Sequence, residues 1–154
     1  MQARALATSY PTVKADTDAL TAARLLTEHN RPGLIVVDDH DHPIAVLPGS
    51  QVLRAVIPGY VRDDPTLARV LEEDAADRIC EKLREHTVKE LLPDDRPPLV
   101  VVEPDETVLE IAAKMAAARS PLVAVLDSRG KQAALLGAIT VYDLLARILP
   151  PADA

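Results

Sequence analysis

The sequence predicts an α/β protein of the α+β type. Two pseudo-symmetric strand–helix–strand–strand–helix repeats are expected to pack through their sheets, with a helical insert between them. Three observations lead there. The chain matches itself at a fixed offset, apolar runs of strand length alternate with stretches of helical periodicity, and one copy alone is too short to bury both of its faces. At 154 residues the chain has the size of one domain or two small fused units.

Sliding the sequence by 89 residues brings Val13 onto Val102, Asp16 onto Asp105, Leu20 onto Leu109 and Ala23 onto Ala112. It also brings Leu26 onto Met115, Pro32 onto Pro121, Val36 onto Val125 and Asp38 onto Asp127, with no gap. Three extra residues in the second copy then raise the offset to 92, and Gln51 falls on Asp143, Leu53 on Leu145, Ile57 on Leu149 and Pro58 on Pro150. The copies cover roughly 11–58 and 98–150, which divides the chain into a first repeat (1–58), an insert (59–97) and a second repeat (98–154).

Each copy reads alike. An apolar run bounded by prolines opens it, VVVE at 100–103 in the second copy, as a strand whose ends carry residues that cannot donate to a ladder. A helix follows. In the first copy Asp16 or Thr17 is the expected cap, with Leu20, Ala23 and Leu26 at helical spacing. In the second, Asp105 precedes ETVLEIAAKMAAAR, with Val108, Ile111, Ala112 and Met115 on one face. Pro32 and Pro121 end these helices, because the residue before proline avoids the α region. A buried strand comes next (LIVV at 34–37, LVAVL at 122–126), then a polar turn (DDHDHP at 38–43, DSRGK at 127–131). A further strand (44–47, 133–139) and a closing helix (50–57, 141–149) complete the unit. In the insert, Asp64–Pro65 signals a helix start, Leu67, Val70, Leu71, Ile79 and Leu83 mark helical segments, and TVKELL at 87–92 reads as one more turn of helix feeding the second copy.

Composition excludes several functions. The net charge of −7 opposes binding to nucleic acid or to an anionic membrane surface. With no Phe, no Trp and three Tyr, the chain has little with which to stack bases. Apolar runs of about five residues fall far short of the roughly 18 a membrane span needs, so no membrane insertion is expected. A single cysteine excludes an internal disulfide framework, and the N-terminus MQARALATSYP has no apolar signal segment; a cytoplasmic protein is expected.

The stretch Gly137-Ala138-Ile139-Thr140-Val141-Tyr142-Asp143, with SPLVAVLDSRGK at 120–131 and TVKELL at 87–92, resembles the signature of a tandem pair of cystathionine-β-synthase (CBS) domains, and the likeness covers nearly all of the chain outside the insert. The resemblance implies a stand-alone regulatory module that senses an adenosine-type nucleotide (AMP, ADP, ATP or another adenosine derivative) and modulates an effector protein as a homodimer, with no cofactor required. Thr140 starts the closing helix, where free N–H groups and the dipole favour an anion. Asp143, one turn on, can accept hydrogen bonds from both ribose hydroxyls. The resemblance places the base between Pro98, Leu99 and Val100 on one side and Pro121, Leu122 and Val123 on the other, with Arg119 beside a phosphate and Ser120, Gly137 and Ile139 completing the site. Thr140 and Asp143 also form an ordinary helix cap with an acid at the third position.

The first repeat departs from the pattern: Ala45, Pro48 and Gln51 stand where Gly137, Thr140 and Asp143 are expected. Its site is expected to be empty or altered, with Ser50 able to cap the helix and Arg31 a basic group near the pocket. This loss also supports the alternative of a structural dimerisation scaffold with decayed sites. Asp38, Asp39, His40, Asp41 and His42 could hold a divalent ion, but they read better as a solvated turn. His29 and His86 read as isolated surface residues, and Cys80, beside Ile79 and near Leu83, as a packed thiol. No catalytic motif is present, so no enzyme and no metal site are expected.

Overall fold

The computed structural model describes residues 1–70, 75–96, 98–127 and 133–152, with the side chains of 70, 75 and 76 excepted. The expected turn at 128–131, the acidic run at 72–74 and Pro97 lie outside the described residues.

Both repeats form the expected elements. The first contains β1 (Thr12–Lys14), α2 (Ala19–Glu28), β2 (Gly33–Val37), β3 (Pro43–Pro48) and α3 (Gly49–Val56). The second contains β4 (Val101–Val102), α7 (Val108–Ala118), β5 (Leu122–Leu126), β6 (Leu135–Thr140) and α8 (Val141–Ile148). Each gives a three-stranded sheet, in the orders β1-β2-β3 and β4-β5-β6. The offsets survive in three dimensions: β2 and β5 are 89 residues apart at both ends, and β3 and β6, like α3 and α8, are 92 apart.

In the second sheet β4 runs parallel to β5, and β5 antiparallel to β6. β5 is the central strand, and Leu122, Val123, Ala124 and Val125 are all fully buried, which explains an unbroken apolar run rather than an alternating one. The opening strand is shorter than VVVE: only Val101 and Val102 are in the ladder, while the Val100 carbonyl accepts from the Ala124 N–H at 3.0 Å.

The helix caps lie slightly downstream of the residues expected. Asp18, not Asp16 or Thr17, caps α2 by accepting from the Thr21 N–H at 2.9 Å. Thr107, not Asp105, caps α7 in a reciprocal box with Glu110. The insert is helical, but its first helix, α4 (Gly59–Asp63), precedes Asp64–Pro65, and Pro65 instead opens a 3-10 helix to Val70. α5 (Ala75–Glu85) and α6 (Val88–Leu91) follow. Cys80 is exposed rather than packed: the inward stripe of α5 runs through Ile79 and Leu83, and Cys80 sits about 100° round the helix from Ile79.

The chain divides into two compact units that cross the sequence repeats: Met1–Tyr10, Val37–Ala45 and Pro97–Ala154 in one, Pro11–Val36 and Val46–Arg96 in the other. The N-terminal helix α1 (Ala3–Leu6) therefore groups with the second repeat, where Ala3 and Leu6 join Val102, Ile111, Met115, Val123, Val125, Ile139 and Leu144 in one core. Conversely α6, directly upstream of the second repeat, groups with the first. The bonds match pair for pair. Ala3 and Arg4 N–H donate to the Glu106 and Pro104 carbonyls at 2.8 and 2.9 Å; Val88 and Lys89 N–H donate to those of Thr17 and Ala15 at the same two distances. TVKELL thus precedes one repeat in the chain and packs with the other.

Candidate functional site at the start of the closing helix

The strand-to-helix turn β6–α8 holds Thr140 and Asp143. Thr140 is only 4% exposed, the one buried polar residue among the described residues. Its Oγ1 accepts from the Asp143 N–H at 3.3 Å, while Asp143 Oδ2 accepts from the Thr140 N–H at 2.8 Å and the Thr140 hydroxyl at 2.9 Å. This is a full capping box. Both bonds end on Oδ2, and Asp143 Oδ1 has no hydrogen-bond partner among the described residues. The helix start is less open to an anion than its position alone implies, because the Val141 N–H donates to the Pro121 carbonyl at 2.9 Å and the Asp143 N–H to Thr140. The first of these bonds ties the start of α8 to the start of β5.

Gly137 has φ +155, and a Cβ there would stand 2.4 Å from the Thr8 carbonyl oxygen. The reason is a pair of backbone bonds at 3.0 Å that join Thr8 to Ala138 in both directions. Sequence reading assigned Gly137 to the signature but missed the N-terminal segment that makes it necessary. The only trace of that contact in the sequence is the glycine itself.

The expected apolar wall is partly accessible. Pro98 is exposed and Leu99, Val100 and Pro121 are half-buried, whereas Leu122, Val123 and Ile139 are completely buried, so these three back the site instead of lining it. Arg119 is exposed and adopts the left-handed conformation (φ 51) as the C-cap of α7, which turns the chain from helix to β5. Ser120 Oγ donates to the Leu122 carbonyl at 2.6 Å, so its hydroxyl holds the backbone at the strand entrance.

The matching turn in the first repeat is built differently. Pro48 is the N-cap of α3 and supplies no side-chain bond; Ser50 lies inside the helix and does not cap it. The Gly49 N–H donates to the Pro32 carbonyl at 3.1 Å, the counterpart of the Val141–Pro121 bond. Gln51 Nε2 donates to the Leu91 carbonyl at 2.9 Å, tying α3 to the end of α6. Its amide nitrogen is thus engaged in a structural bond at the position where Asp143 has an oxygen with no partner among the described residues.

Outside these turns, Asp38 Oδ1 accepts from the His40 and His42 N–H groups at 2.8 and 2.9 Å, and Asp41 has φ 60. The bonds to His42 and His40 hold the Asp38 carboxyl below its ordinary range. This is an exposed turn, and no group of three or more metal-ligating side chains occurs among the described residues. His86 is not isolated: its Nδ1 lies 2.7 Å from Glu90 Oε2 and lowers the Glu90 pKa. No helix among the described residues is long and apolar enough to cross a membrane.

The CBS domain family model matches residues 3–58 and 88–150, each span opening at a lead-in helix and closing at the end of a repeat. The chain belongs to the CBS domain family. Its fold is that of a CBS pair, a class of regulatory modules. Among solved structures it is similar to a CBS domain-containing protein of unknown function from Kribbella flavida, with 47% identity, TM-score 0.84, and coverage of 96% of this chain and 98% of that one. The CBS domain of a CBS domain-containing membrane protein from Sphaerobacter thermophilus shares the fold at 24% identity and TM-score 0.73, over 97% and 88% of the two chains. CBSX2, solved in complex with AMP, shares it at 19% identity and TM-score 0.66, over 96% and 95%. No curated protein matches the sequence.

Proposed function

We propose that this CBS pair is a non-catalytic regulatory module that binds an adenosine nucleotide at the second repeat and, as a homodimer, modulates an effector protein in the cytoplasm. The observation that carries the reading is the division of labour within Asp143. Oδ2 caps α8, which leaves Oδ1, half-buried and without a partner among the described residues, to accept from a ribose hydroxyl. Capping and ligand binding are therefore compatible. Pro98, Leu99, Val100 and Pro121 offer the apolar face for a base, Arg119 a cation for a phosphate, and Thr140, Ser120, Gly137, Ile139, Leu122 and Val123 hold the turn and strands beneath. The AMP complex of CBSX2 supports the ligand class.

A ligand can bias such a module only by its different affinity for two arrangements. The homodimer reading is supported by an unpartnered apolar stripe on α8, where Tyr142 is 69% and Leu149 60% exposed beside Leu145 and Ile148.

The test is calorimetric titration with AMP, ADP and ATP on wild type and Asp143→Asn. The asparagine can still cap through its carbonyl, but the amide nitrogen in place of Oδ1 cannot accept from a ribose hydroxyl. Saturation at 100 times Kd should also stabilise the wild type by about 2.7 kcal/mol. Binding that is lost in Asp143→Asn supports the reading. The absence of binding by any of the three at millimolar concentration overturns it and favours the second reading, a non-binding dimerisation scaffold, to which the proline and the engaged glutamine of the first repeat already point.

A further inference from the structure

The first repeat lacks the Thr–Asp pair, yet beside its closing helix lies a concavity of about 280 Å³ with a different chemistry. Gln51 and Arg54 reach it from one face of α3, Arg62 from α4, His86 from the link between α5 and α6 and Glu90 from α6, over a base formed by Leu91, Leu92 and Pro93. The Gln51–Leu91 bond fixes α3 against α6, so the opening is set by a hydrogen bond between its walls. Arg54 and Arg62 form no hydrogen bond or ion pair with any described residue. That is notable in a chain where 24 acidic residues face 17 basic ones. Two guanidiniums on one concavity repel each other, and a shared anion relieves that repulsion with forked hydrogen bonds.

We propose that this concavity binds a small phosphate-bearing anion, held by Arg54 and Arg62. The volume lies just below the range usual for drug-sized ligands, which suits a phosphate, a diphosphate or a small phosphorylated metabolite rather than a dinucleotide. Glu90 is the one carboxylate on the wall, and its partner is His86 at 2.7 Å. Against that one carboxylate stand two guanidiniums, so the wall favours an anion. Every charged group lining the concavity is then accounted for: Arg54, Arg62, His86 and Glu90. The proposal is independent of the second-repeat site.

The probe is pyrophosphate, titrated calorimetrically at low and at physiological salt against the full chain. Wild type is expected to bind at sub-millimolar Kd at pH 6.5, with at least tenfold loss in the Arg54→Gln/Arg62→Gln double variant. Circular dichroism confirms folding of the double variant, whose replaced side chains are exposed. Three results overturn the proposal: no binding to wild type, equal binding to the double variant, or binding that sulfate at the same ionic strength matches and physiological salt removes, which marks a general ionic atmosphere.

Discussion

The starts of α3 and α8 occupy equivalent places in two copies of one fold and solve the same problem with different chemistry. At α8, Thr140 and Asp143 satisfy each other's N–H groups and leave one carboxylate oxygen over. At α3, Pro48 caps without a side-chain bond, and Gln51 turns away to the Leu91 carbonyl. The second turn closes its side-chain bonds within itself and keeps a carboxylate oxygen to offer. The first is braced by another helix through its glutamine and has no carboxylate. A duplicated fold therefore does not duplicate its site: the backbone bonds that shape the turn survive in both copies, and the side chains that meet a ligand do not.

The largest effect should come from Gly137→Ala. Its new Cβ would meet the Thr8 carbonyl at 2.4 Å in a backbone conformation that side chains rarely adopt, so a loss of about 2–3 kcal/mol is expected in urea unfolding. The equivalent change in the other direction, Ala45→Gly, should cost about 1 kcal/mol, the ordinary penalty of glycine in a strand. Equal costs would break the comparison.

Removing the box with Asp143→Ala should cost about 1 kcal/mol of stability and all nucleotide affinity, whereas Asp143→Asn should affect affinity far more than stability. Gln51→Ala should cost about 1 kcal/mol through the lost bond to Leu91, with no change in nucleotide binding.

The smallest effect is a difference in acid sensitivity between the first helices of the two repeats. Backbone and hydroxyl bonds from Thr107 lower the Glu110 pKa from 4.5, and the hydroxyl and N–H of Thr21 lower that of Asp18 from 3.8. A carboxylate whose folded pKa lies below its unfolded value stabilises fully above the unfolded value, and that contribution is lost as pH falls through the folded one. Amide exchange at the start of α7 should therefore begin to rise below about pH 4.5, and at the start of α2 only below about pH 3.8. The opposite order would mean that the caps do not control fraying.

Much of this was legible in the residues. The offsets of 89 and 92 located both copies, since prolines and aspartates at helix and strand ends hold their register. The cap of α8 was legible because Thr140 and Asp143 are close in sequence. The caps of α2 and α7 were misplaced by two residues or fewer, because several cap-forming residues stand in a row (Asp16, Thr17, Asp18; Asp105, Thr107) and only backbone geometry chooses among them. Cys80 was misread because its neighbours are apolar, although a helix turns each neighbour to a different direction.

By itself, the sequence determined the order of the elements, the duplication, the buried central strands and the loss of the Thr–Asp pair from the first copy. These rest on local periodicity and on which side chains are present. Only the tertiary structure decided which lead-in helix serves which repeat. α1 and α6 carry equivalent short apolar patterns, ARAL and VKEL, each burying its first and last residue. The exchange was settled by hydrogen bonds across long stretches of chain, Ala3 to Glu106 and Val88 to Thr17. The same long-range pairing put Thr8 against Ala138 and made a glycine necessary at 137. Such bonds leave no periodic trace in a sequence, because every backbone carries the same donors and acceptors and only packing selects which of them meet.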